Sequence, residues 1–108
     1  MKSNNLVSII MTCYNGEFFL EKAVKSIITQ TYPNWELIFY NNFSNDRSLE
    51  IIQNFQDPRI KYFTSDKLLN LGQVRKKAIE ACNGEYVCFL DVDDYWTDNK
   101  LERQILKF

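Results

Sequence analysis

Three carboxylates, Asp91, Asp93 and Asp94, fall within four residues of chain directly after an apolar run from Glu85 to Leu90. Acids two apart in extended chain project to one side and can share a cation, so Asp91 and Asp93 form a candidate pair, with Asp94 turned away or extending the site. Like charges this close repel, and a hard divalent ion relieves that repulsion; oxygen donors suit Mg or Mn. Spacing alone also permits a solvated turn that biases charge at the start of the next helix.

Two further polar clusters follow apolar runs. Thr12, Tyr14 and Asn15 close the run from Leu6, and Asn41 and Asn42 close the run from Glu36 to Tyr40. The chain has three glycines, Gly16, Gly72 and Gly84, and no phosphate-cradling glycine loop of the GxGxxG or GxxxxGK[ST] type. Any phosphate charge must then be neutralised by a metal. With no histidine present, Ser-His and Cys-His nucleophile pairs are excluded and acid-base work falls to carboxylates. Cys13, Cys82 and Cys88 are odd in number and lack metal-ligand spacing, so they read as reduced, small core residues.

The elements that must position these residues alternate. Leu6 to Thr12 reads as a buried strand ending in a turn at Tyr14-Asn15-Gly16. From Glu17 to Gln30, Leu20, Val24, Ile27 and Ile28 recur at helical spacing. Glu36 to Tyr40 is a second strand, and Leu49, Ile52 and Phe55 mark a second helix. Ile60 to Thr64 is a third strand, followed by a helix through Val74, Ala78, Ile79 and Cys82 that Gly84 is expected to end in the left-handed conformation. Glu85 to Leu90 is the fourth strand. A last helix from Asp98 to Phe108 carries Leu101, Ile105 and Phe108 on one face, with Thr97 or Asp98 available as its cap. Strands separated by helices imply a mostly parallel α/β sheet with helices on both faces, and ligands of such sheets bind outside the carboxyl ends of the strands. All three polar clusters lie at those ends.

At 108 residues, with 45% hydrophobic, 15% aromatic and 25% charged residues, the chain suits one folded domain. A net charge of -1 offers no field for nucleic acid or anionic lipid. Its apolar runs are far shorter than the roughly 20 residues of a membrane helix, so the expected setting is cytoplasmic, or peripheral to the inner face of the membrane.

The order of segments resembles the start of glycosyltransferase family 2 proteins of the GT-A fold. It runs from Thr12-Cys13-Tyr14-Asn15 through Gln30-Thr31-Tyr32-Pro33-Asn34-Trp35-Glu36, Asn70-Leu71-Gly72 with Arg75, and Gly84-Glu85-Tyr86 to Leu90-Asp91-Val92-Asp93-Asp94. The resemblance covers Val7 to about Gln104. It implies that residues 1–108 are the nucleotide-sugar-binding half of a GT-A domain, Rossmann-like and truncated. The implied reaction transfers a sugar from a nucleoside diphosphate donor, a UDP-sugar above all, to a carbohydrate or lipid-linked hydroxyl acceptor, with inversion and a divalent metal.

Carried over by position, Thr12, Tyr14 and Asn15 line the base pocket, Asp91 approaches the ribose or base, Asp93 with Asp94 holds the metal, and Arg75 lies near the nucleotide. The family usually has an acidic pair and a small residue where this chain has Asn41, Asn42 and Phe43. A carbonyl of Asn42 can still accept from a base imide, without charge assistance, and Asn42→Asp would restore the usual acid. The family's catalytic base falls after the point where this chain stops, so the chain alone is expected to be inactive. An apolar edge near the fourth strand and last helix is expected to favour self-association or pairing with a C-terminal segment. Two other readings stay open. One is a nonenzymatic nucleotide-sugar-binding or interaction module; the other is a receiver-like domain, whose acids would belong at strand three rather than strand four.

Overall fold

The computed structural model describes residues 5–105. The chain alternates β1 (Val7–Cys13), α1 (Glu17–Ile28), β2 (Trp35–Asn41), α2 (Ser48–Gln53), β3 (Ile60–Thr64), α3 (Leu71–Glu80), β4 (Tyr86–Phe89) and α4 (Lys100–Ile105). Each expected element is present, with ends displaced by a few residues. The remainder of the expected last helix, including Phe108, lies outside the described residues.

All strand pairings are parallel, and the strand order is β3-β2-β1-β4. The chain therefore builds outward from β1 through β2 to β3, then returns to the opposite side of β1 for β4. The reversal falls between β1 and β4, where loops at the strand ends must diverge and leave a crevice.

Both faces of the sheet carry helices, unequally. Val7, Ile9, Met11 and Cys13 of β1 point to the face covered by Leu20, Ala23, Val24 and Ile27 of α1, where Trp35, Leu37, Phe39, Ile52, Leu90 and Leu101 join one core. Fully burying each large apolar side chain contributes about 1.5–3 kcal/mol, so this layer dominates stability. The other face has a small cluster of Ile10, Ile38 and Ala78 under α3. Beyond that helix, Val87 and Phe89 on the edge strand β4 stay 44% and 47% exposed.

Gly84 differs from expectation. Helix α3 ends at Glu80 with Ala81 as its cap residue, and no described glycine has a positive φ. Gly84 is needed for close approach instead: a Cβ there would lie 2.6 Å from Ser8 Oγ and 2.7 Å from both Leu6 O and Ser8 N. The start of α4 also departs, since its Leu101 N–H donates to the side chain of Gln30 (3.0 Å), not to Thr97 or Asp98. The three thiols are free, Cys13 buried and the others half-buried, and burial pushes Cys88 up to about 11.

At the edge where the strands begin, Glu36 is 2% exposed. Its carboxylate accepts from Ser8 Oγ (2.5 Å), Lys61 Nζ (2.7 Å), Asn83 N (2.6 Å) and Asn83 Nδ2 (3.2 Å). Burial alone would raise its pKa, but the bonds from Lys61, Ser8 and Asn83 outweigh it and hold the carboxyl at about 2. This one side chain ties β1, β2, β3 and the α3–β4 loop together.

Candidate nucleotide site

The reversal between β1 and β4 holds an open cleft of about 400 Å³ lined by Thr12, Tyr14, Asn15, Gly16, Phe19, Asp91, Val92 and Asp93. One wall is the β1–α1 loop; the other is the segment after β4. Five of the residues expected from sequence meet here: Thr12, Tyr14, Asn15, Asp91 and Asp93. A groove of about 490 Å³ between α1 and α2, lined in part by Phe18, Arg47 and Phe55, contains none of them.

The β1–α1 wall is held by the β2–α2 loop. Asn15 takes a left-handed φ of 53°, which asparagine tolerates. Its N–H donates to Ser44 Oγ (2.9 Å) and its Oδ1 accepts from Asn45 N (2.9 Å). Gly16 N donates to Ser48 Oγ and Glu17 N to Asp46 Oδ2, while Glu17 Oε1 accepts from Arg47 N. Asp46 thereby caps the first turn of α1. Burial opposes its ionisation, but bonds from Ser48 and the Glu17 amide prevail and keep its carboxyl below the usual range. Gly16 also fits closely, since a Cβ would meet Val92 Cγ2 at 2.8 Å across the cleft. Sequence reading missed Ser44, Asp46 and Ser48; the polar run after β2 was the available signal.

The acidic wall is not extended chain. Asp94 N donates to Asp91 O (3.0 Å), closing a turn over Val92 and Asp93, and Asp94 Oδ1 accepts from Tyr95 N (2.8 Å). The turn brings the exposed Asp91 and Asp93 to the cleft and leaves Asp94, which the resemblance pairs with Asp93 as metal ligand, outside its lining. Neither Asp91 nor Asp93 forms a side-chain hydrogen bond or ion pair among the described residues.

Among those residues no three His, Cys, Asp or Glu side chains gather into a metal-holding group. Two carboxylates still suit a phosphate-bound Mg, which takes one or two from the protein and its remaining ligands from phosphate and water.

Asn42 and Arg75 stand apart from the cleft. Asn42 is 8% exposed, and its amide is engaged within the chain: Oδ1 accepts from Leu69 N (2.9 Å) and Ser65 Oγ (3.3 Å), while Nδ2 donates to Leu69 O (2.9 Å). It anchors the loop after β3, which is why its amide does not face the cleft. Arg75, on α3, places its guanidinium 5.5 Å from the Phe89 ring centroid. Phe43 has φ 58°, a left-handed backbone that costs a side-chain-bearing residue about 1–2 kcal/mol, and its ring is 51% exposed.

Asp46, Asp66 and Glu85 would be the other acids to weigh as a base. Asp46 is committed to the loops, Glu85 lies at the start of β4 on the opposite edge, and Asp66 follows β3; none lines the cleft.

Comparison with known proteins agrees with this geometry. The chain is 40% identical over 100 residues to UDP-Glc:alpha-D-GlcNAc-diphosphoundecaprenol beta-1,3-glucosyltransferase WfgD of Escherichia coli, covering 93% of this chain and 40% of that one. It is 36% identical over 100 residues to the E. coli enzyme WfaP, whose name describes the same activity, with coverage of 93% and 40%. The chain thus spans about 40% of the length of these curated relatives. The crystal structure of S. aureus TarS 1-349 in complex with UDP-GlcNAc superposes with a TM-score of 0.89 at 25% identity, over 93% of this chain and 30% of that one. No described helix is long and apolar enough to cross a membrane. A family model for Glycosyl transferase family 2 matches residues 8–108, and this chain belongs to that family.

Proposed function

We propose that this chain forms the nucleotide-sugar-binding part of a glycosyltransferase that uses a nucleoside diphosphate sugar, a UDP-sugar first among them, and a hydroxyl acceptor. The observation that carries this reading is the cleft at the β1–β4 reversal, with an aromatic residue, Tyr14, on one wall and two unpartnered carboxylates on the other. The relative WfgD is named for a UDP-Glc donor and a diphosphoundecaprenol-linked acceptor, which supports a lipid-linked acceptor.

A diphosphate cannot approach Asp91 and Asp93 unaided, because like charges repel. Mg or Mn held by these two residues would neutralise the diphosphate and stabilise it as a leaving group. Thr12 and Asn15 line the cleft, while Tyr14 offers a ring on which a nucleobase can lie. The clasp from Ser44, Asp46 and Ser48 fixes that wall before a ligand arrives, so little ordering is needed on binding. Direct displacement at the sugar, with inversion, requires an acceptor base that these cleft residues do not supply.

Calorimetric titration of the chain with UDP, with Mn present and after chelation, tests the reading. Binding is expected with Mn, and Asp93→Asn should weaken it at least about tenfold through loss of a ligand charge. Equal affinity after chelation, or in Asp93→Asn, would overturn the metal-dependent site.

A further inference from the structure

We infer that this chain holds the donor's nucleobase by its face, against Tyr14 and Phe43, instead of by a hydrogen bond to its edge from the end of β2, and so discriminates weakly among bases. The inference rests on the nucleotide reading above.

The acceptors at the end of β2 are already occupied. Asn41 Oδ1 accepts from Ser44 N (3.2 Å), and Asn42 Oδ1 accepts from Leu69 N and Ser65 Oγ. Both side chains are buried, at 2% and 8% exposure. Burial keeps both carbonyls from the N–H of an incoming base, and as neutral amides they would accept it without charge assistance.

Phe43 combines two choices that folding does not favour. Its backbone is left-handed, where glycine is suited, and its ring is half in solvent, where it adds nothing to the core. Hydrogen bonds on both sides keep it there: Asn42 N donates to Cys13 O (2.7 Å), Phe43 N to Asn41 O (3.0 Å), and Ser44 Oγ accepts from Asn15 N (2.9 Å). These bonds join the residues flanking Phe43 to the residues flanking Tyr14. Two exposed aromatics, Tyr14 at 53% in the cleft lining and Phe43 at 51%, thus follow the ends of adjoining strands. Backbone strain spent on presenting a residue at a binding edge is a recurrent mark of function.

Charge decides the orientation of the ligand. The diphosphate belongs with the metal at Asp91 and Asp93, so the base extends toward the aromatic end. Every base has a π-face, so stacking there tolerates a change of base where an edge contact would not.

The test is calorimetry with UDP, GDP, ADP and inorganic pyrophosphate, all with Mn, on the natural chain and on Phe43→Gly and Phe43→Trp. UDP, GDP and ADP are expected to bind within about tenfold of one another. Phe43→Gly should weaken all three by about 5- to 100-fold, leave pyrophosphate unchanged, and be reversed in Phe43→Trp. Glycine suits this backbone, so loss of folding does not confound the variant. Unchanged nucleotide affinity in Phe43→Gly overturns the inference while the nucleotide site stands. A parallel loss of pyrophosphate binding, or a preference for UDP above 100-fold, overturns it too. Failure of every nucleotide to bind the natural chain overturns the site reading and the inference together.

Discussion

Acids occupy both edges of the sheet, and the two edges treat them differently. Where the strands begin, Glu36 is buried and its oxygens accept from Ser8, Lys61 and Asn83. Where β4 ends, Asp91 and Asp93 stand exposed in a cleft, and no described side chain or amide engages their carboxylates. An acid whose lone pairs are all used by the chain holds the fold together. Acids left without partners contribute nothing comparable to folding, and their value lies in what they bind.

The contrast is broken most directly at Glu36. Glu36→Ala should lower unfolding free energy by about 3–4 kcal/mol, since the buried Ser8 hydroxyl and the Asn83 amide lose their acceptor; urea denaturation of the two proteins measures this. Acid sharpens the contrast next. A carboxyl that ionises at about 2 when folded and 4.5 when unfolded contributes roughly 3 kcal/mol, complete above pH 4.5 and lost as pH falls toward 2. Asp46 and Asp57, also held below the usual range, add to that loss in the same direction. Urea midpoints taken at descending pH should fall through this window in the natural chain and more shallowly in Glu36→Gln. The smallest effect belongs to Asp93→Asn, whose unfolding free energy should stay within about 0.5 kcal/mol of the natural value. A destabilisation there comparable to that of Glu36→Ala would abolish the distinction between the edges.

The alternation of strands and helices was legible because apolar periodicity is local, and the cleft residues were legible because parallel sheets bind ligands at strand ends. What could not be read is carried by contacts between distant parts of the chain. Gly84 looked like a helix terminator, yet its role is set by the backbone of Leu6 and Ser8 on β1. Asn42 looked like a free acceptor, yet Leu69 takes both ends of its amide. The pairing of Asp91 with Asp93 was expected from extended chain; they meet the cleft through a turn, which excludes Asp94. In each case the residue type was informative and its partner was not.

Gln30, just past α1, has a consequence for motion. Its side chain donates to Thr97 O (2.6 Å) and accepts from Leu101 N (3.0 Å), while Ser26 Oγ on the same helix accepts from Trp96 N (3.1 Å). The segment carrying the acids is thus pinned at β4 on one side and to the most deeply packed helix on the other. The stretch from Asp91 to Tyr95 has no hydrogen bond to α1 among the described residues, so local opening there should cost less than at Trp96 and Leu101, which are bonded to Ser26 and Gln30. Amide hydrogen exchange would divide the loop at Trp96, with rapid exchange at Val92 and Asp93 and strong protection at Leu101. The acidic wall can therefore flex about a fixed post, and the post is a glutamine amide that no inspection of the acids themselves would single out.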